Sequence, residues 1–271
     1  MKITFIGGGN MAAAMIGGML ARGFAAADIQ AVDVAQAARD RLATEFGVAA
    51  HTTADQAVSV SDVVILAVKP QHMAEAAKAL RPLLGGQLVV TIAAGIRTGD
   101  LSRWLGGYRN IVRAMPNTPA LVRAGAAGLY ALPDVGASDR RSAQDILGAV
   151  GLTVWLDREE HLDAVTALSG SGPAYVFYFL EAMQEAGRAM GLPETASRVL
   201  SLQTLVGAAQ LAAESTESPE TLRARVTSKG GTTERALAKM QSNNVKQQLV
   251  AAICAAEARS RELGDEFGKV A

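Results

Sequence analysis

The chain has 271 residues, 49% of them hydrophobic and 19% charged, which is material for one large core or two moderate ones. Lysine plus arginine (26) equals aspartate plus glutamate (26), so no global field draws nucleic acid or an anionic membrane, and neither is expected as a partner. The single cysteine, Cys254, excludes an intrachain disulfide and a cysteine metal cluster, which leaves a cytoplasmic protein without a metal as the expectation.

Lys2-Ile3-Thr4-Phe5-Ile6 reads as a strand entering the glycine-rich turn Gly7-Gly8-Gly9-Asn10-Met11, and Asn10 opens an alanine-rich helix reaching about Arg22. That helix contains the apolar run Met11 to Ala21. Its alanines and glycines suit close helix-to-sheet contact, and the strand and glycines before it do not fit a secretion signal. Further apolar runs at 29–34, 63–67, 88–92 and 111–115 alternate with helical spacing at 38–46 and 71–80, the rhythm of a doubly wound parallel sheet. Continuous Val/Ile/Leu strands imply a sheet covered on both faces. After Val154-Trp155-Leu156 the strand signal stops and nearly everything reads as helix, so the expected domains are 1–158, α/β, and 159–271, all-helical. The segment 173–190 is amphipathic, with Tyr175, Phe179, Met183 and Ala186 on one face. The segment 196–213 is apolar on nearly all sides and must be buried on nearly all sides, which predicts a homodimer with interleaved helices.

Gly7-x-Gly9-x-x-Ala12 fits a dinucleotide fingerprint, with Gly7 making the turn and Gly9 letting backbone N–H groups of the Asn10-Met11 helix start approach a phosphate. Asp33, at the end of the second strand, is placed to accept both adenosine ribose hydroxyls and to repel a 2′-phosphate, which points to NADH. Arg39 and Arg41 lie near enough to bend over a phosphate, although exposed helix positions are the commoner fate. Ala67-Val68-Lys69-Pro70 and Ala93-Ala94-Gly95 sit at strand C-termini, where small residues let backbone touch a cofactor; Lys69 either bonds it or caps the turn. Asn117, between Pro116 and Pro119, offers a donor and an acceptor that suit an amide such as nicotinamide, although a plain turn would look similar.

In the helical half, Thr227-Ser228-Lys229-Gly230-Gly231-Thr232-Thr233 precedes a helix and reads as an anion nest, although an ordinary helix connection would look alike. Ser169 to Tyr175 is a second small-residue lead-in to a helix, read as a close-packing segment. His51, His72 and His161 fall outside every motif and have no metal-ligand spacing. No serine-histidine-acid set or carboxylate pair is evident, which favours chemistry needing no strong protein acid or base.

Together these motifs resemble the pyrroline-5-carboxylate reductase family nearly end to end. The residues carrying the resemblance are Phe5 to Met11, Ala67 to Pro70, Met115 to Pro119, Leu168 to Tyr175 and Thr227 to Thr233. It implies an N-terminal Rossmann domain, a C-terminal helical dimerisation domain with rings of dimers, and hydride transfer from NADPH or NADH to 1-pyrroline-5-carboxylate, giving L-proline. It also places Ser228, Gly230, Gly231 and Thr232 around the substrate carboxylate and Thr233 beside the ring nitrogen, the bend reaching the imino acid from a neighbouring subunit. Many members carry serine, asparagine or arginine after the second strand, so Asp33-Val34 is a departure that hints at NADH use. A β-hydroxyacid dehydrogenase would need a lysine on the long helix after Pro173, and none occurs through Met190. A non-catalytic dinucleotide sensor would not need the intact second loop.

Overall fold

The computed structural model describes residues 1–269. Eight strands, β1 (Ile3–Ile6), β2 (Ile29–Val32), β3 (Ala49–His51), β4 (Val63–Leu66), β5 (Leu88–Thr91), β6 (Ile111–Met115), β7 (Gly125–Ala131) and β8 (Gly151–Trp155), form one sheet in the order β3-β2-β1-β4-β5-β6-β7-β8. Neighbours run parallel except β6 and β7, which are antiparallel. The helices of this half are α1 (Asn10–Ala21), α2 (Gln36–Phe46), α3 (Asp55–Ser59), α4 (Met73–Leu80), α5 (Thr98–Trp104), α6 (Ala137–Gly148) and α7 (His161–Val165). Every residue of β1, β4 and β5 is buried, as continuous apolar strands require. The strand order reverses between β1 and β4, which opens a crevice beyond their C-terminal ends.

β7 carries no Val/Ile run, and the reason is steric. A Cβ at Gly128 would lie 2.9 Å from the Val165 side chain and one at Gly125 would lie 2.9 Å from the Val150 carbonyl oxygen, so the strand is built from small residues.

A turn of π-helix (Thr166–Gly170) continues α7, and α8 (Gly172–Ala189), α9 (Glu194–Glu214), α10 (Pro219–Arg225), α11 (Thr232–Ser242) and α12 (Val245–Gly268) complete the chain. The described residues divide into two compact units, 1–171 together with 254–269, and 172–253. Residues 159–171 and 254–269 thus pack with the sheet unit. Leu162 and Ala167 are buried, with Leu162 and Val165 meeting β7 at Gly128, which attaches the segment after β8 to the sheet. Within the second unit α8 and α9 approach closely where Gly187 faces Ser197. Their apolar side chains, Phe177, Tyr178, Val199, Leu200, Val206 and Leu211 among them, are exposed on a single chain.

Candidate active site

The glycine turn sits at the C-terminal end of β1. Gly7 has φ +104°, and a Cβ there would lie 2.8 Å from the Ala67 carbonyl carbon, so only glycine lets β1 and the β4 exit approach this closely. At Gly9, in contrast, a Cβ would meet nothing within 4 Å, and no side chain caps the start of α1 behind it. Uncapped helix N–H groups beside open space leave a cradle with the donors an anion requires. The arrangement fits the pyrophosphate of a dinucleotide.

Asp33 lies beside this cradle. Its Oδ2 accepts the Gly8 N–H at 2.7 Å and its Oδ1 accepts the Ala35 N–H at 2.8 Å. Arg39 donates to the Asp33 carbonyl oxygen at 2.6 Å and also to Gln36. Arg41 reaches from α2 to the Gly8 carbonyl oxygen at 2.8 Å and to Asn10 Oδ1 at 3.0 Å. The two arginines are therefore braces of the loop rather than free surface charges. The Arg41 connection was not legible in the sequence, because helical periodicity gives no reach for a long side chain.

The later strand-end segments divide in character. Lys69 is exposed and stands at the N-cap of the single 3-10 turn after β4, with Pro70 behind it. Gly95 has φ +73°, and its open side is filled: a Cβ would lie 2.9 Å from the Phe267 ring. Asn117 is buried, its Oδ1 accepting the Ala126 N–H at 2.8 Å and its Nδ2 donating to the Ser169 carbonyl oxygen at 3.0 Å. Its amide ties the proline loop to β7 and to the π turn, in contrast to the expected free amide. Gly170 belongs to the same contact, since a Cβ there would meet Met115 at 2.8 Å.

Behind these loops lies a buried ion cluster absent from the sequence reading. Arg113, on β6 and 3% exposed, pairs with Glu159 at 3.1 Å and lies 3.9 Å from Asp163. Glu159 also accepts from the Thr98 N–H at 2.7 Å and hydroxyl at 2.6 Å, capping α5, and Ser260 donates to Asp163 at 2.7 Å. No motif joins these positions, and only the fold brings them together.

The second loop is a bend closed on itself. Gly230 has φ +74° and its N–H donates to the Glu234 carboxylate at 2.6 Å, while the Gly231 N–H donates to the Ser228 carbonyl oxygen at 3.0 Å. The glycines thus shape the bend, and their N–H groups are already used. Gly231 is the N-cap of α11 with no side-chain cap, so the Thr232, Thr233 and Glu234 N–H groups of the first turn stay open to an incoming anion, beside the Ser228, Thr232 and Thr233 hydroxyls. Glu234, reaching back over the first turn as in a capping box, was not singled out from the sequence.

Residues 159–263 match the family described as pyrroline-5-carboxylate reductase dimerisation, and residues 2–95 match that described as NADP oxidoreductase, coenzyme F420-dependent. A pyrroline-5-carboxylate reductase of Pseudomonas aeruginosa is 50% identical over 270 residues, covering 99% of this chain and 98% of the relative. The chain belongs to the pyrroline-5-carboxylate reductase family. The reductase of Haemophilus influenzae is 44% identical, with 98% of each chain covered. The solved reductase of Coxiella burnetii superposes with TM-score 0.92 at 41% identity, covering 97% of this chain and 98% of that one. A Plasmodium falciparum pyrroline carboxylate reductase solved with NADP bound gives 0.88 at 27% identity, with 97% and 98% covered.

As a pyrroline-5-carboxylate reductase, the chain is an NAD(P)H-dependent oxidoreductase acting on the imine of pyrroline-5-carboxylate, and its product is proline. The dimerisation region makes it a homo-oligomer. Among the described residues no helix is long and apolar enough to cross a membrane.

Proposed function

We propose that the imine reduction is divided between the two loops, with Gly7, Gly9, Asn10, Met11 and Asp33 holding the dinucleotide and Ser228, Thr232 and Thr233 holding the imino acid. Ala67, Val68, Lys69, Pro70, Ala93, Ala94 and Gly95 line the dinucleotide along the strand ends, and the backbone around Asn117 closes its nicotinamide side. The domain roles follow the sequence reading, 1–158 for the nucleotide and 159–271 for substrate and dimerisation.

The observation that carries the substrate half is the uncapped start of α11 behind a glycine bend flanked by three hydroxyls. Helix N–H groups and hydroxyls bind a carboxylate well. Gly230 and Gly231 keep the bend narrow, and Glu234 holds it folded through the Gly230 N–H. Thr233 then hydrogen-bonds at the ring nitrogen. The bound dinucleotide supplies the hydride. A protonated imine is already electrophilic, so the protein's contribution is to fix the reacting carbons together and exclude water. No protein general base is needed.

Asp33 makes NADH at least as good a cofactor as NADPH in this reading. Further parts of the proposal are assembly as a ring of dimers, testable by light scattering, and residence in the cytoplasm.

The test is oxidation of NADH and NADPH by the purified enzyme with pyrroline-5-carboxylate. Thr233→Ala is expected to lower kcat by about ten- to a hundredfold, the scale for losing one hydrogen bond to a charged group, with melting temperature and dinucleotide affinity unchanged. An unchanged kcat removes Thr233 from the reaction.

A further inference from the structure

The last turns of α12 are seated on the loop that follows β5. Phe267 lies against Gly95, where a Cβ would be 2.9 Å from the ring and 3.4 Å from Leu263 Cβ, so the helix touches bare backbone. Next to it the Arg97 guanidinium lies over Gly264, pairs with Asp265 at 2.7 Å and donates to the Arg261 carbonyl oxygen at 3.3 Å. At the helix end Arg103 donates to the Gly268 carbonyl oxygen at 2.7 Å, satisfying an orphan acceptor, and Gly268 abuts Asp100. Gly264 and Gly268 are one helical step of four apart, so a single face of α12 is cleared for this contact.

The ion cluster holds the same segment where α5 begins, at Thr98. Glu159 holds Thr98 and Arg113, and Ser260 of α12 holds Asp163. Arg113, Glu159 and Asp163 line a cavity of about 310 Å³ with Arg97, Glu160 and Arg261. The segment 93–98 is thus held at Gly95, Arg97 and Thr98 by groups far from it in sequence. Exposed pairs such as Arg97 and Asp265 add little to stability, so their geometry is better explained by placement of the loop than by holding the fold together.

We propose that Phe267 and the Arg97–Asp265 pair are positioning residues for the dinucleotide: the C-terminal turns of α12 set the Ala93–Gly95 backbone in its cofactor-binding shape, and thereby set cofactor affinity. The inference rests on the assignment of Ala93–Gly95 to the cofactor made above. A loop whose backbone must meet a ligand loses affinity when its support is removed, even though the ligand never touches that support.

The experiment uses the full-length enzyme. NADPH affinity is read from the fluorescence of the reduced dinucleotide, and KM and kcat are measured for each substrate separately. Phe267→Ala is expected to weaken NADPH binding about tenfold, the scale of coupling through a packed network, while KM for pyrroline-5-carboxylate and the assembled mass stay at wild-type values. Phe267→Leu restores most of the affinity by refilling the space over Gly95. Asp265→Asn, at an exposed site that cannot compromise the core, is expected to weaken binding by about threefold and serves if Phe267→Ala does not fold. Wild-type NADPH affinity in a Phe267→Ala protein of lowered melting temperature would mean that α12 is only structural, and the proposal falls. Ala94→Leu separates the two readings. Loss of NADPH binding there with none in Phe267→Ala and Asp265→Asn sinks the brace alone, whereas wild-type binding in Ala94→Leu removes the loop from the cofactor site and the brace with it.

Discussion

Asp33 accepts the Gly8 and Ala35 N–H groups with its two carboxylate oxygens, and at the end of β2 its charge is placed to meet the adenosine ribose in the proposed cofactor pose. Removing the charge should therefore change two quantities at once. A 2′-phosphate near a carboxylate is disfavoured by about 1–3 kcal/mol at a partly solvated site, so Asp33→Ser should raise the ratio of kcat/KM for NADPH over NADH by about tenfold or more. The same change leaves the Gly8 N–H without its charged acceptor, which costs about 1 kcal/mol of stability and should appear as a lower melting temperature. A melting temperature that falls while the cofactor ratio stays fixed would confine Asp33 to bracing the turn. The glycine turn and Asp33 could be located in the sequence because a strand, a turn and a helix start fall in fixed order there. Asn117 could be found but not understood, because the partners that occupy its amide, Ala126 and Ser169, lie on other elements.

At the scale of elements, the strands that could be read were those carrying apolar runs rich in Ile, Val or Leu. β7 escaped because its close neighbours demand glycine and alanine, residues that carry no strand signal. α7 and the π turn are helical by pattern yet pack with the sheet, because periodicity does not name the surface a helix covers. Arg113 is the plainest example of information held only in the fold. Its charge sits in the middle of a buried strand and is matched by Glu159 and Asp163, which arrive from beyond β8. Cutting one partner from such a cluster strands the others, at about 3 kcal/mol or more. Arg113→Met should accordingly lower the melting temperature by about 6–12 °C, at about 2–4 °C per kcal/mol for a protein of this size. A shift under about 2 °C would mean that water already compensates the two carboxylates.

For the whole molecule, the deciding feature is the apolar surface that one chain leaves uncovered. α9 exposes Val199, Leu200, Leu202, Val206 and Leu211 on a single chain, and a helix apolar around its circumference has no stable place in water. The dimerisation family spans this helix, so a second copy is the cover the chain is built for. A charge in the centre of such an interface has no water and no partner, a cost of several kcal/mol. Val206→Glu should therefore reduce the mass measured by light scattering and make the melting temperature depend on protein concentration, as linkage between folding and assembly requires. Val60→Glu is the matched control, since Val60 is exposed to a similar degree at the end of α3 in the nucleotide unit. It should leave the mass at the wild-type value. An unchanged mass in Val206→Glu would place the subunit contact away from α9 and leave the exposure of its apolar side chains without a cause.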